Sequence, residues 1–234
     1  MLNASSWLMQ TPIAHRGLWS SDIPENSIPA YENAIAHGFA IEIDVYSSAD
    51  GQLFCFHDAT LMRVTGKSGF IYEKTAKELK SLKLFSTEYH IPTFEETLAV
   101  CENRAPLLIE IKNQPDKKVV DKVVERLKSY SGEFAVQSFN PFFINRVKKL
   151  APEFVRGILG TNEKIKENFF TRWALKRLPF NNFIQPHFIS YYKEGLPVKN
   201  KRNLPVLAWT IISDEEKDNA LKFANNIIFE NFVP

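Results

Sequence analysis

The sequence has only two cysteines, Cys55 and Cys101, and no C-x-x-C pair. That excludes a disulfide framework and a thiolate zinc knuckle. Cys55 lies in an apolar strand pattern and reads as a small buried hydrophobe. The histidines include no His-x-His pair, which disfavours an amidohydrolase-type zinc barrel. No apolar run approaches the ~20 residues of a membrane span, so stable membrane insertion is not expected. Residues 1–10 have neither a basic start nor a continuous apolar stretch; no secretory signal is expected there, and the cytoplasm is the expected compartment. Excess charge of one sign is missing too. With 29 Lys+Arg against 27 Asp+Glu, the surface carries no footprint for a nucleic-acid partner.

Internal repeats, low-complexity tracts and Gly/Ser-rich linkers are also absent, so residues 1–234 read as one domain. What recurs is alternation of short apolar runs with helix-period segments. Strands are expected at 12–16, 40–47, 53–57, 107–112, 134–139, 155–159, 183–187, 206–211 and 227–230. Helices are expected at 28–37, 93–102, 117–130, 141–150, 162–178 and 214–224. Ser27 before Ile28-Pro29 and Asn140 before Pro141 supply N-caps with proline in the first turn, and Gly38 ends the first of these helices. This alternation implies parallel strands with crossover helices, and the number of units implies a TIM-type (β/α)8 barrel. Residues 58–91 show no clear strand and read as a small insertion after the second strand and its hairpin. No closing helix is expected after the last strand.

The informative residues are charges set inside apolar strands. In Ile41-Glu42-Ile43-Asp44-Val45, side chains two apart share a face, so Glu42 and Asp44 point the same way. Ile109-Glu110-Ile111-Lys112 repeats the device. Buried charges need a metal, a counter-ion or water. The plain alternative is a salt bridge from Glu42 or Asp44 to Lys112. Three converging carboxylates instead suit one hard divalent cation, Mg²⁺ or Ca²⁺. Asp50-Gly51 signals a two-residue hairpin, which places Asp44 opposite His57. His15-Arg16-Gly17 ends the first strand at the catalytic face of such a barrel. Arg16 can grip a phosphate or carboxylate, or merely pair with Glu25 or Glu42, and histidine moves protons near neutral pH.

In order and spacing, Ala14-His15-Arg16-Gly17, Pro24-Glu25-Asn26-Ser27, Ile41-Glu42-Ile43-Asp44-Val45, Asp50-Gly51, His57-Asp58 and Ile109-Glu110-Ile111-Lys112 resemble the glycerophosphodiester phosphodiesterase family. The likeness is dense over 12–112. It runs on through Gln137-Ser138-Phe139-Asn140 and Leu207-Ala208-Trp209-Thr210. By this resemblance Glu42, Asp44 and Glu110 are ligands of the divalent cation, His15 and His57 are the acid–base pair, and Arg16 and Lys112 contact phosphate. The implied reaction is hydrolysis of a small-molecule glycerophosphodiester to an alcohol and sn-glycerol 3-phosphate through a cyclic phosphate. Which histidine starts as base is open. Trp209 either packs on the glycerol or fills the barrel mouth. Two departures stand out, Ile211-Ile212 after Thr210 and Ile228-Phe229-Glu230 in the last strand.

Lys164, Lys166, Arg172, Lys176 and Arg177 accompany Phe169, Phe170 and Trp173. An outer helix with a solvated basic face is preferred there over a membrane-surface or lid helix. A second basic cluster, Lys193, Lys199, Lys201 and Arg202, reads as a solvated loop, and His187 carries no ligand-like spacing. The alternative functions are a phospholipase-D-like lyase on choline lipids and a non-catalytic barrel that binds phosphorylated ligands.

Overall fold

The computed structural model describes residues 6–163, 168–199 and 202–234; Lys164, Lys166 and Lys201 fall outside them. Eight parallel strands close into a barrel: β1 (Ile13–Ala14), β2 (Ala40–Ser47), β4 (Leu107–Ile111), β5 (Phe134–Ser138), β6 (Arg156–Gly160), β7 (Phe188–Tyr192), β8 (Val206–Ile211) and β9 (Asn226–Phe229). β1 closes the ring by pairing with both β2 and β9. The extra strand β3 (Leu53–Cys55) is antiparallel to β2.

Helices cover the outside because the outward residues of the strands are apolar. Ile41, Ile43, Val45, Leu107, Ile109 and Ile111 pack with buried side chains of α2 (Ile28–Ala36), α5 (Phe94–Cys101) and α6 (Val119–Leu127) in one cluster. Cys55 and Cys101 belong to this cluster as buried thiols. The expected caps are in place. Ser27 accepts from the Ala30 N–H at the start of α2, and Asn140 from the Phe142 N–H at the start of α7 (Pro141–Leu150).

Inside the barrel the period-two pattern changes character along its axis. At the N-terminal end Ile13, Ala40, Leu108, Ala135, Phe188, Leu207 and Ile228 form an apolar layer over Leu8 of α1 (Trp7–Gln10). Gly157 leaves room for Phe188; a Cβ there would fall 2.2 Å from the ring, so Gly157→Ala would disrupt this layer. Two residues further along the same strands stand Glu42, Glu110, Gln137 and Ser190, buried and polar. The Ser190 hydroxyl donates to Gln137 Oε1 at 2.6 Å. The alternation that builds the barrel therefore also delivers the polar layer to its C-terminal mouth.

Residues 58–91 hold three short helices, α3 (Met62–Thr65), a 3-10 turn at Ile71–Glu73 and α4 (Ala76–Lys80), around a small core that includes Phe56, Leu61, Ile71, Leu79 and Ile91. After β6 come α8 (Phe169–Arg177) and α9 (Asn181–Ile184), and α10 (Asp214–Ala220) follows β8. No helix follows β9 among the described residues.

Two expectations are corrected. The strand expected at 183–187 is displaced: Phe183 and Ile184 end α9, Gln185 takes a left-handed φ of +48°, and β7 begins at Phe188. A short run of aromatic and aliphatic residues fits either a strand or a buried helical turn. The hairpin register also shifts by one. Ser48 N–H donates to Gln52 O, Val45 pairs with Cys55, and Phe56 N–H donates to Asp44 O. Phe56, not His57, lies opposite Asp44. The loop is the three residues 49–51, with Gly51 at φ +93°, a turn that glycine alone adopts easily.

Candidate active site

At the mouth of the barrel a pocket of about 320 Å³ is lined by His15, Arg16, Glu42, His57, Glu110, Lys112 and Trp209, among others. Asp44 lies beneath, 1% exposed. The eight residues singled out in the sequence thus come together at one place. Despite the register shift, His57 stays close enough to feel the charges of Lys112 and Asp44.

Glu42, Asp44 and Glu110 each offer an oxygen within 4.8 Å of the others. Adjacent parallel strands make this happen, since Asp44 of β2 is in register with Glu110 of β4. The salt-bridge alternative is also present: Lys112 Nζ lies 3.0 Å from both Asp44 Oδ1 and Glu110 Oε1. Burial would raise the Asp44 carboxyl, but Lys112, His57 and Arg16 hold it below its ordinary value. Burial would likewise lower Lys112, and Asp44 and Glu110 keep it charged.

Glu42 is left over. It accepts the Arg16 N–H at 3.1 Å, and its one ion-pair contact among the described residues is His15 Nε2, 4.0 Å away. Burial and the nearby charges of Asp44 and Glu110 push its carboxyl well above the usual range. Glu110 is raised as well, chiefly by burial. Two fixed cations, Arg16 and Lys112, do not satisfy three buried acids. This all-oxygen, electron-rich cluster therefore fits a divalent metal ion.

Both histidines are held from behind by a carboxylate. His15 Nδ1 is 2.7 Å from Glu230 Oε2, and His57 Nδ1 is 2.7 Å from Asp58 Oδ1. A carboxylate only accepts, so each Nδ1 carries the proton and each Nε2 keeps its lone pair free. Burial, the largest influence, lowers both imidazoles below their ordinary value.

Around them runs a chain of ion pairs. Arg63, from the insertion, donates to Asp58 (2.6 Å from Nε) and forks onto Glu25 at 2.6 and 2.9 Å. Glu25 in turn accepts from Arg16 at 3.0 Å, the pairing considered from the sequence. Asn26 donates to Asp44 Oδ2 at 2.9 Å and is fixed by the Tyr31 hydroxyl. Trp209 lines the pocket and also packs in the mouth, with ring centroids 5.7 Å from Phe139 and 5.4 Å from Tyr192.

Sequence reasoning gave no role to Glu230, Asp58 or Arg63. Glu230 had a readable signal. Closure of the barrel puts β9 beside β1, with Ala14 in register with Phe229, so the next residues, His15 and Glu230, meet. Asp58 follows His57 directly. Arg63 had none, because only the fold of the insertion brings it back. His187 is placed away from the pocket: its Nδ1 accepts from the Arg156 N–H at the N-terminal end of β6.

A closed parallel barrel with acids and imidazoles gathered at its C-terminal mouth has the build of an enzyme active site. The chain belongs to the glycerophosphoryl diester phosphodiesterase family, whose family model matches residues 15–233. It is 29% identical over 225 residues to a glycerophosphodiester phosphodiesterase of Caldanaerobacter subterraneus, covering 90% of this chain and 89% of that one. Among solved structures it is similar to an Oleispira antarctica phosphodiesterase in complex with the product sn-glycerol 3-phosphate, with TM-score 0.78, 27% identity, and coverage of 95% and 94%. A Parabacteroides distasonis glycerophosphodiester phosphodiesterase shares the fold, with TM-score 0.77 at 22% identity over 94% and 92% of the two chains. The chain is accordingly a phosphodiesterase. No helix among the described residues is long and apolar enough to cross a membrane.

Proposed function

We propose that residues 1–234 act as one cytoplasmic catalytic domain, with 58–91 as an insertion. It hydrolyses a glycerophosphodiester to an alcohol and sn-glycerol 3-phosphate with the help of one Mg²⁺ or Ca²⁺ ion. The observation that carries this reading is the pair of carboxylate-backed imidazoles, His15–Glu230 and His57–Asp58, on the same pocket as Glu42, Asp44 and Glu110. The product bound by the Oleispira relative supports the same substrate class.

The three acids would hold the cation, which when bound offsets negative charge on the phosphoryl oxygens. Lys112 and Arg16 stand beside it and add fixed positive charge toward the same oxygens. One imidazole Nε2 takes the proton from the attacking hydroxyl, that of the substrate's own glycerol in the cyclic-phosphate route. The other, protonated, returns a proton to the departing alkoxide. Water then opens the ring with the two roles exchanged. Glu230 and Asp58 keep both rings in the useful tautomer and steady the imidazolium as it forms. Trp209 offers a flat apolar wall to the glycerol. The Nδ1–H bonds favour the charged form while burial, the larger influence, opposes it and holds both rings below their ordinary value.

The test is release of glycerol 3-phosphate from glycerophosphocholine with Mg²⁺, with Ca²⁺ and with chelator. Product formation that needs the cation supports the reading. No hydrolysis under any of the three conditions, of this diester or of one that bears a hydrocarbon chain, overturns it.

A further inference from the structure

A second cavity of about 630 Å³ adjoins the catalytic pocket and shares two walls with it, Phe139 and Trp209. Its other apolar walls include Phe142 at the start of α7 and Phe170, Ala174 and Leu175 of α8. Phe142 and Phe170 are 66% and 63% exposed, and α8 buries none of its residues. Scattered exposed aromatics are ordinary on a protein surface. Here they gather around one trough that meets the catalytic pocket at Phe139 and Trp209, which is how ligand grooves are built. A glycerophosphodiester without a hydrocarbon chain has nothing apolar to lay in such a trough.

We infer that this groove seats a long hydrocarbon chain carried by the substrate, so that the preferred substrate is a glycerophosphodiester bearing one acyl or alkyl chain. The inference rests on the phosphodiesterase reading above and deepens it. The chemistry is unchanged. The bond from phosphorus to the alcohol oxygen breaks, that oxygen takes a proton, and one water supplies the new P–OH. Diester plus water gives monoester plus alcohol. The chain can sit on the glycerol or on the leaving alcohol, since the groove offers the same apolar walls to both.

Three probes distinguish these sources: 1-lauroyl-glycerophosphocholine, the dodecyl ester of glycerol 3-phosphate, and chain-free glycerophosphocholine. Each is assayed below its micelle concentration with Mg²⁺ and with Ca²⁺. Two variants alter only the groove. Phe142→Ser with Phe170→Ser strips two walls, and Ala174→Trp fills the trough. The expected result is kcat/KM at least about tenfold higher for one chained probe than for glycerophosphocholine. That advantage should vanish in both variants while glycerophosphocholine hydrolysis stays unchanged, and the favoured probe tells where the chain is attached. Calorimetry supplies a readout without turnover: dodecyl phosphate should bind the parent protein at least about tenfold tighter than ethyl phosphate, and no tighter in the double variant. Equal rates for chained and chain-free probes, or an advantage that survives both variants, overturns the groove assignment and leaves the phosphodiesterase intact. If the parent protein cleaves none of the three probes, both readings fall together.

Discussion

The two sides of the barrel mouth are built in opposite ways. On the side of β1, β2 and β4, the charged groups interlock: Arg63 clamps Asp58 and Glu25, Glu25 holds Arg16, and Asn26 holds Asp44. On the side of β5, β6 and α8, large aromatics stand in solvent, with Phe169 83% exposed. The first side fixes position, because a partly buried ion pair with several donors has few alternative geometries. The second fixes little and presents apolar area. Bond-making groups belong on the rigid side, and adaptable recognition on the loose one.

The largest effect should come from the rigid side. His15→Ala and His57→Ala are each expected to lower turnover roughly 10²–10⁴-fold with an unchanged circular dichroism spectrum. Near-normal hydrolysis by either would remove that histidine from the reaction. Next comes Arg63→Ala, which frees Asp58 and Glu25 together. Turnover should fall about tenfold, as when a supporting partner is lost, and the pH–rate profile should move because His57 loses its steadied carboxylate. A pH profile that overlays the parent's would show that Asp58 holds its place unaided. Stability should change little, since the Arg63 side chain is 44% exposed and Glu25 keeps Arg16 as a partner.

A subtler test concerns Glu42, whose carboxyl is raised above its ordinary 4.5. A carboxyl raised in the folded state binds its proton more tightly folded than unfolded. Its contribution to stability is therefore full below pH 4.5 and is lost as pH rises toward the folded value. Without metal, the parent protein should lose stability relative to Glu42→Gln as pH climbs above 4.5 toward the raised folded value. Added Mg²⁺ or Ca²⁺ should stabilise the parent more than the variant. Melting curves of the two proteins that run parallel across pH would mean that Glu42 is already neutralised by its neighbours. Smallest of all, Phe169→Ser on the loose side should change unfolding free energy by no more than about 0.5 kcal/mol.

Much of this architecture was legible because strand periodicity and site chemistry are the same pattern here. In Ala40–Ser47 the acids interrupt an apolar run at alternate positions, so the strand and the cluster were read together, and the strand has the expected bounds. Val206–Ile211 and Pro141–Leu150 also have the expected bounds, the second fixed by its asparagine cap and proline. The sequence misled where one apolar run serves two structures, as at Phe183 and Ile184. It also misled where a single residue decides register, as in the loop closed by Gly51. Arg63 shows a different limit. Its partners Glu25 and Asp58 lie on separate elements, and nothing local in Met62-Arg63-Val64 points to either.

The barrel's far end carries its own consequence. Leu8 is 1% exposed beneath the apolar floor, and the Asn226 side chain donates to the carbonyls of Leu8 and Thr11. Trp7–Gln10 is thus a cork tied in place by the last strand. Pulling it, by truncation or by a bulky fusion set close against it, would bare the apolar floor of Ile13, Leu108 and Phe188 to water and cost stability while leaving the acids above it covered. A purification tag is best set well away from this helix.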